Sequence, residues 1–315
     1  MTDGRSFPKS RPMVGLETCA VPGWAPEDML VHPDGRVFTG LRDEGTLIEM
    51  DPNKGSAEVL ARPGEQPLGL EWMPDGRMLI CNAALGLQVF DLATGTVEAL
   101  EIKGTRINVC NNAAVMADGT IFVSDSTTAY PLMQFRNDII EDTRSGRLLR
   151  IDPDGTATIM LDGLTFANGV ALTADAVLVA ETAKARIHRV PLKGGTPHIF
   201  ADVPGLPDNL STDEEGLVWA AFPSLPNPAL GTLHKLPMWA RRLASRVPEK
   251  LQPNAPLGCR VAAYTGEGEL VHLFDGDPGI FNHVTGVRRH GDRVYLSSIE
   301  QGKVAWFDLK ASLLA

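Results

Sequence analysis

Glu27, Asn111, Asn168 and Asp208 each stand eight residues before the turn residue of a recurring phrase, at Gly35, Gly119, Ala176 and Gly216. Two of the four side chains are carboxylates and two are amides, with no Cys or His among them. An all-oxygen set suits a hard cation such as calcium or magnesium, and one Glu with one Asp balances a divalent charge. The next residues along the chain at two of these positions, Asn112 and Asn209, offer further amides. Any one of the four could equally bond its own backbone at a strand start. That explanation does not account for four in one register.

The phrase that sets the register is VHPDGRVFTG at 31–40. It returns as WMPDGRMLIC at 72–81 and VMADGTIFVS at 115–124, then in degraded form at 172–181, 212–221 and 288–297. Each copy reads as a polar tight turn followed by a short apolar strand, with Asp-Gly supplying the positive φ of the turn. Second strands follow, as in GTLIEMDPNKGSAEVL at 45–60 and GRLLRIDPDGTATIML at 146–161. The copies begin about 40 residues apart, the length of a four-stranded propeller blade. Two longer gaps hold insertions around 126–145 and 223–258.

The pattern predicts an all-β chain, one six-bladed β-propeller domain over 1–315, with four-stranded blades around a central channel. Innermost strands line that channel, so the four oxygen-bearing positions face one axis. The same count gives Leu68 in the second repeat. In the sixth, where Gly and Asp are inverted, it falls on Val284 or its neighbour His283. Residues 14–23, VGLETCAVPG, are expected to supply an outer strand to the last blade and close the ring. Residues 233–251 form the one expected helix, a lid over one face.

The 315 residues are 43% apolar and 22% charged, as in ordinary globular chains. The formal net charge of -10 argues against nucleic acid and against an anionic membrane surface as partners. A small-molecule substrate is the remaining expectation. No run approaches the roughly 20 apolar residues that span a bilayer. The opening stretch MTDGRSFPKSRP has no apolar core to serve as a secretory signal. Cys19, Cys81, Cys110 and Cys259 are scattered, which fits reduced buried thiols in a cytoplasmic protein. There is no G-x-S-x-G elbow, P-loop or dinucleotide glycine fingerprint. A Ser-His-Asp hydrolase and a nucleotide cofactor are therefore unsupported. Ser124-Asp125-Ser126 reads as a turn at a strand end, and Glu181 as an acceptor for backbone or Arg donors.

Taken together, APEDML, QPLGLEW, CNNAAVMADGTIFVSDSTTAY, SGRLLRIDP, LTFANGVALTAD, VAETAKARIHR and LPDNLSTDEEGLVWAA resemble a known superfamily. It is the strictosidine-synthase-like branch of the SMP-30/gluconolactonase/paraoxonase calcium-dependent propellers. The phrases come in the family's order and cover nearly the whole chain. The resemblance implies metal ligands at Glu27, Asn111, Asn168, Asp208 and Asn209, a calcium-type ion in the channel, and lactone or ester hydrolysis beside it. Two positions depart from the family. NHVTG at 282–286 keeps a pocket His at His283 but has Thr285 where the plant condensing enzymes carry a Glu. Leu68 stands where paraoxonases place a His.

Ester or lactone hydrolysis needs a polarised carbonyl and a base for the attacking water. A central dication would supply the first, and Asp208 is the candidate for the second. Glu27 would remain a ligand only, and His283 would shuttle protons or bond the substrate. Aromatic residues Trp72, Phe135, Phe222, Trp239 and Phe281 are candidates either for an apolar pocket or for blade packing. Tyr130, Leu132, Leu225 and Leu230 tilt the two insertions towards an apolar substrate. The competing expectations are another reaction on this scaffold, a condensation or a lyase step, and a non-enzymatic binding propeller with a structural ion.

Overall fold

A computed structural model describes residues 7–225, 228–248 and 257–315. Six antiparallel sheets form a six-bladed propeller. The first four blades run in chain order and have inner strands Pro26–Val31, Pro67–Trp72, Cys110–Val115 and Ala167–Leu172. The inner strands of the fifth and sixth are Leu210–Thr212 and Val284–His290. The sixth blade is closed as the sequence predicts. Glu17–Ala20 pairs antiparallel with Lys303–Asp308, matching Cys19 to Val304. The fifth gains a short extra strand, Arg11–Pro12, which runs parallel to Leu270–Asp275.

The recurring phrase folds for a local reason. Gly35, Gly76, Gly119 and Gly216 have φ between 81 and 90°. Each donates its amide to the carbonyl three residues back, as Gly35 does to His32 (2.8 Å). In the first three the Asp before the glycine caps the turn, with Arg36 N donating to Asp34 Oδ1 (3.0 Å), and in the fourth Asp213 does so. Only glycine takes that φ without strain, so the turn and the strand pairing after it are fixed together. The apolar faces of the strands then meet between blades. At the junction of the fifth and sixth, Trp219 stacks on Phe274, which packs against Phe307 with ring centroids 5.2 Å apart. Phe222 and Phe281 are fully buried, and Trp72 packs edge-on against Phe38, so these three fill the core and wall no pocket.

The helical expectation needs correcting. The 233–251 segment is not one helix. Pro237 starts a separate helix at Met238–Ser245, after a shorter one at Pro228–Leu233, and residues 249–251 lie outside the described residues. The other insertion also carries a helix, Phe135–Glu141, and the chain ends in another, Leu309–Leu314. The two insertions dock on each other. Ser245 Oγ donates to Glu141 Oε1 (2.7 Å), His234 Nε2 lies 2.8 Å from Ile139 O, and Asp142 bridges Lys184 (2.8 Å) and Arg241 (3.4 Å). Both insertions leave the second strand of their blade at its end, beside the start of the inner strand. Cys110 pairs with Asp125 there, and Leu206 with Ser224. The joined helices thus form a lid at the end of the channel where the inner strands begin.

Candidate metal centre at the channel mouth

In five blades the inner strand opens with the same irregularity. The pairing slips between Pro26 and Met29, Pro67 and Leu70, Cys110 and Ala113, Ala167 and Val170, and Val284 and Val287. Such a bulge spends two residues against one and re-aims their side chains. The pairs at this point are Glu27-Asp28, Leu68-Gly69, Asn111-Asn112, Asn168-Gly169 and Thr285-Gly286. In the fifth blade Asp208-Asn209 occupies the place just ahead of the strand, with Asp208 N donating to Ala221 O (2.9 Å). The first members form a ring of Glu27, Leu68, Asn111, Asn168, Asp208 and Thr285. The sixth-blade position is therefore Thr285, not Val284 or His283. The inverted Gly and Asp build a shorter hairpin, with His290 pairing to Arg293, which shifts the count by one or two residues.

The ring carries an unusual deficit. Among the described residues twelve buried side-chain polar atoms have no hydrogen-bond partner, and five of them belong here. They are Glu27 Oε2 and the Oδ1 atoms of Asn111, Asn168, Asp208 and Asn209. Orphaned buried oxygens are costly, and five on adjoining strands need a common positive partner. Other atoms of three of these groups are spent on holding them still. Asn209 Nδ2 donates to Glu27 Oε1 (3.2 Å), and Asn168 Nδ2 to Thr182 Oγ1 (3.2 Å). Thr182 Oγ1 in turn donates to Pro207 O (2.7 Å). The donor set is oxygen alone, so it fits a hard dication. Among the described residues no group of three or more His, Cys, Asp or Glu is placed to hold a metal ion; this centre would draw on two carboxylates and otherwise amides.

Electrostatics agree. Burial, then the charges of Asp208 and Asp28, push the Glu27 carboxyl well above its usual range. Burial pushes Asp208 up to about 8, with Asp28 adding to the effect and the Asn168 amide opposing it. Arg42 opposes the rise at Glu27 only as the smallest of its influences. Asp208 is half-buried as a residue where Glu27 is buried, although its Oδ1 is itself a buried atom.

The second members of the pairs alternate between a polar side chain and glycine: Asp28, Gly69, Asn112, Gly169, Asn209, Gly286. Asp28 Oδ2 accepts from Leu70 N (3.1 Å) and Asn112 Nδ2 (3.3 Å), and Asn112 Oδ1 accepts from Val170 N (2.8 Å). Asp28 and Asn112 thus staple neighbouring blades, which removes Asn112 from the ligand candidates and leaves Asn209. A Cβ at Gly69 would come within 2.7 Å of Asn112 Nδ2, and one at Gly169 would overlap Asp208 O and Leu210 N. Gly169→Ala is therefore expected to cost about 1–3 kcal/mol through backbone displacement at Asp208. Thermal denaturation checks it, and an unchanged melting temperature would show that the strand yields freely.

Three contributors were not picked out from the sequence. Thr285 Oγ1 (2.6 Å) and Ser297 Oγ (2.7 Å) both donate to the Glu27 carbonyl, and so fix the backbone of the buried carboxylate. Arg288 is bound by Asp28 (3.3 Å), Glu71 (3.1 Å) and Leu70 O (2.8 Å), and plugs the channel beneath the ring. The alternating glycines were the available signal. His283 lies outside the ring. Its φ is 50°, like those of Ala25, Gln66 and Phe166 at the matching entry positions, and its Nδ1 is 3.1 Å from Asn282 Oδ1. Burial lowers its pKa. Asp125 caps Val109 N (2.9 Å), and Glu181 takes Thr165 N (3.0 Å) and Arg186 Nε (2.7 Å), so both are structural acceptors.

The profile of the SMP-30/gluconolactonase/LRE-like region matches residues 43–225, and that of the strictosidine synthase-like N-terminal region matches 7–50. The adipocyte plasma membrane-associated protein of Danio rerio is 30% identical over 90% of this chain and 77% of its own length. Strictosidine synthase-like protein 13 of Arabidopsis thaliana is 32% identical over 85% and 70%. Two solved structures share the fold. A Xanthomonas campestris gluconolactonase has TM-score 0.67 and 17% identity, covering 93% of this chain and 89% of its own. A calcium-binding regucalcin of Agrobacterium tumefaciens has TM-score 0.66 and 17% identity, covering 96% and 95%.

Proposed function

From the premise that the chain belongs to the SMP-30/gluconolactonase/LRE-like family, we propose that this lactonase-like propeller is a metal-dependent hydrolase of lactones or related esters. The observation that carries this reading is the set of five buried oxygens without protein partners. Glu27, Asn111, Asn168, Asp208 and Asn209 would hold a divalent cation, calcium foremost. Such an ion supplies Lewis-acid polarisation of a carbonyl. A neighbouring gluconolactonase and a calcium-binding regucalcin support the same reading.

The protein groups divide the remaining work. Glu27 is pinned at its carbonyl by Thr285 and Ser297 and at its carboxylate by Asn209, so it stays a ligand. Asp208 is half-buried, and its carboxylate, shifting from ligand to base, takes the proton of the attacking water. His283, at the mouth, relays that proton towards solvent. A condensation of the strictosidine synthase type gains no support, because Thr285 is fully buried and its hydroxyl is spent on Glu27.

The test is hydrolysis of an alkyl-substituted lactone and of a sugar lactone after EDTA stripping and calcium add-back, with melting curves on the same samples. Activity is expected to fall to background and return with calcium, and the melting temperature to fall and recover with it. Recovery of melting alone would make the ion structural and sink the hydrolase reading for those substrates. No change in either would sink the metal centre.

A further inference from the structure

The net charge of -10 hides a local reversal. Residues 228–248 carry Lys235, Arg241, Arg242 and Arg246 and no Asp or Glu. On the helix Met238–Ser245 and its C-cap, Trp239, Arg242, Leu243 and Arg246 are spaced to share one face; Arg241 and Ser245 turn to Glu141 beneath, and Arg242, 64% exposed, also reaches Glu141 Oε2 at 3.7 Å. The outer face is exposed to a degree rare for such residues: Trp239 is 68% accessible, Leu243 57% and the preceding Leu236 45%. Met238, Trp239, Arg242, Leu243 and Arg246 line a shallow surface cleft of about 410 Å³. Met133, on the other insertion, is 67% accessible.

Large apolar side chains interleaved with arginines on a lid are not explained by the channel chemistry. A soluble chain hides such a face against something. A second copy is a poor occupant, because a two-fold contact would set Arg242 and Arg246 against their own counterparts. Tryptophan, leucine and cations on one helical face match the boundary of an anionic bilayer, where the rings enter the headgroup layer and the cations meet lipid phosphates. We propose that the outer face of the lid, Leu236, Trp239, Arg242, Leu243 and Arg246, docks the channel mouth on an anionic lipid surface. The lid sits at the end of the channel where the ring residues stand, so docking brings that end to the lipid.

The test is flotation of the full chain with vesicles of phosphatidylcholine alone and of phosphatidylcholine mixed with phosphatidylserine. Binding is expected to the mixed vesicles and to weaken with salt. Trp239→Ser with Leu243→Ser, and separately Arg242→Gln with Arg246→Gln, should each weaken it at least about tenfold. All these side chains are exposed, so unchanged melting temperatures will show that the variants fold. Absence of wild-type binding, or equal binding by the Trp239/Leu243 variant, overturns the proposal. So does a concentration-dependent dimer that the Trp239/Leu243 variant abolishes, which would assign the face to a second copy.

Discussion

Asp208→Asn is expected to lower kcat for lactone hydrolysis by about 10²–10⁴, the usual contribution of a positioned general base. Its effect on stability should have the opposite sign when the metal is stripped. Without a cation, Asp208 and Glu27 are two buried carboxylates beside a third, Asp28, and burial and mutual repulsion raise both. The amide keeps the shape and removes a group that must take up a proton to be buried there. In EDTA the variant should melt at or above the wild type. In calcium the wild type should gain more than the variant, because it would offer the ion two charged ligands where the variant offers only Glu27. Initial rates and paired melting curves with and without calcium decide the matter. A variant that melts lower than the wild type in EDTA, with activity intact, would show that Asp208 has a protein partner and no role in the chemistry.

That experiment rests on positions that counting along the sequence could find. Glu27, Asn111, Asn168 and Asp208 were legible because the turn before each second strand is built by local chemistry, so distance from the turn equals distance from the channel. The count failed where the turn changed. His290–Arg293 is a tighter hairpin, and the count fell one or two residues short of Thr285, at Val284 or His283. The roles of Asn112 and Asn209 were not separable in sequence, since both follow a ring residue. Three-dimensional pairing separates them, because Asn112 has Val170 N and Asp28 as partners where Asn209 Oδ1 has none. The lid was the least legible part. Its helices are short and are held by tertiary bonds to Glu141 and Asp142, not by their own periodicity.

The same buried carboxylates fix the response to pH. Asp208 rises from 3.8 in the unfolded chain to about 8 in the metal-free fold, and Glu27 rises from 4.5. Between those limits the folded chain binds more protons than the unfolded one. The stability associated with these groups is therefore fully present near pH 4 and is lost as pH climbs towards 8. The loss is on the order of a few kcal/mol. Other carboxylates act in the opposite sense. Burial alone would raise Asp142, yet hydrogen bonds from Lys184 and Thr165 hold it well below its usual range, and Glu181 is lowered by His188, Thr165 and Arg186 against its burial. Their stabilisation is present above about pH 4 and disappears on acidification. The stripped protein should thus melt highest in mildly acidic buffer and fall off on both sides. Calcium bound at the proposed centre would hold Glu27 and Asp208 ionised, so it should restore the alkaline side and leave the acid side unchanged. Melting temperatures from pH 4 to 9, with EDTA and with calcium, check this. Parallel curves across the range would mean that the two carboxylates are already paired within the protein, and the five-oxygen centre would lose its electrostatic basis.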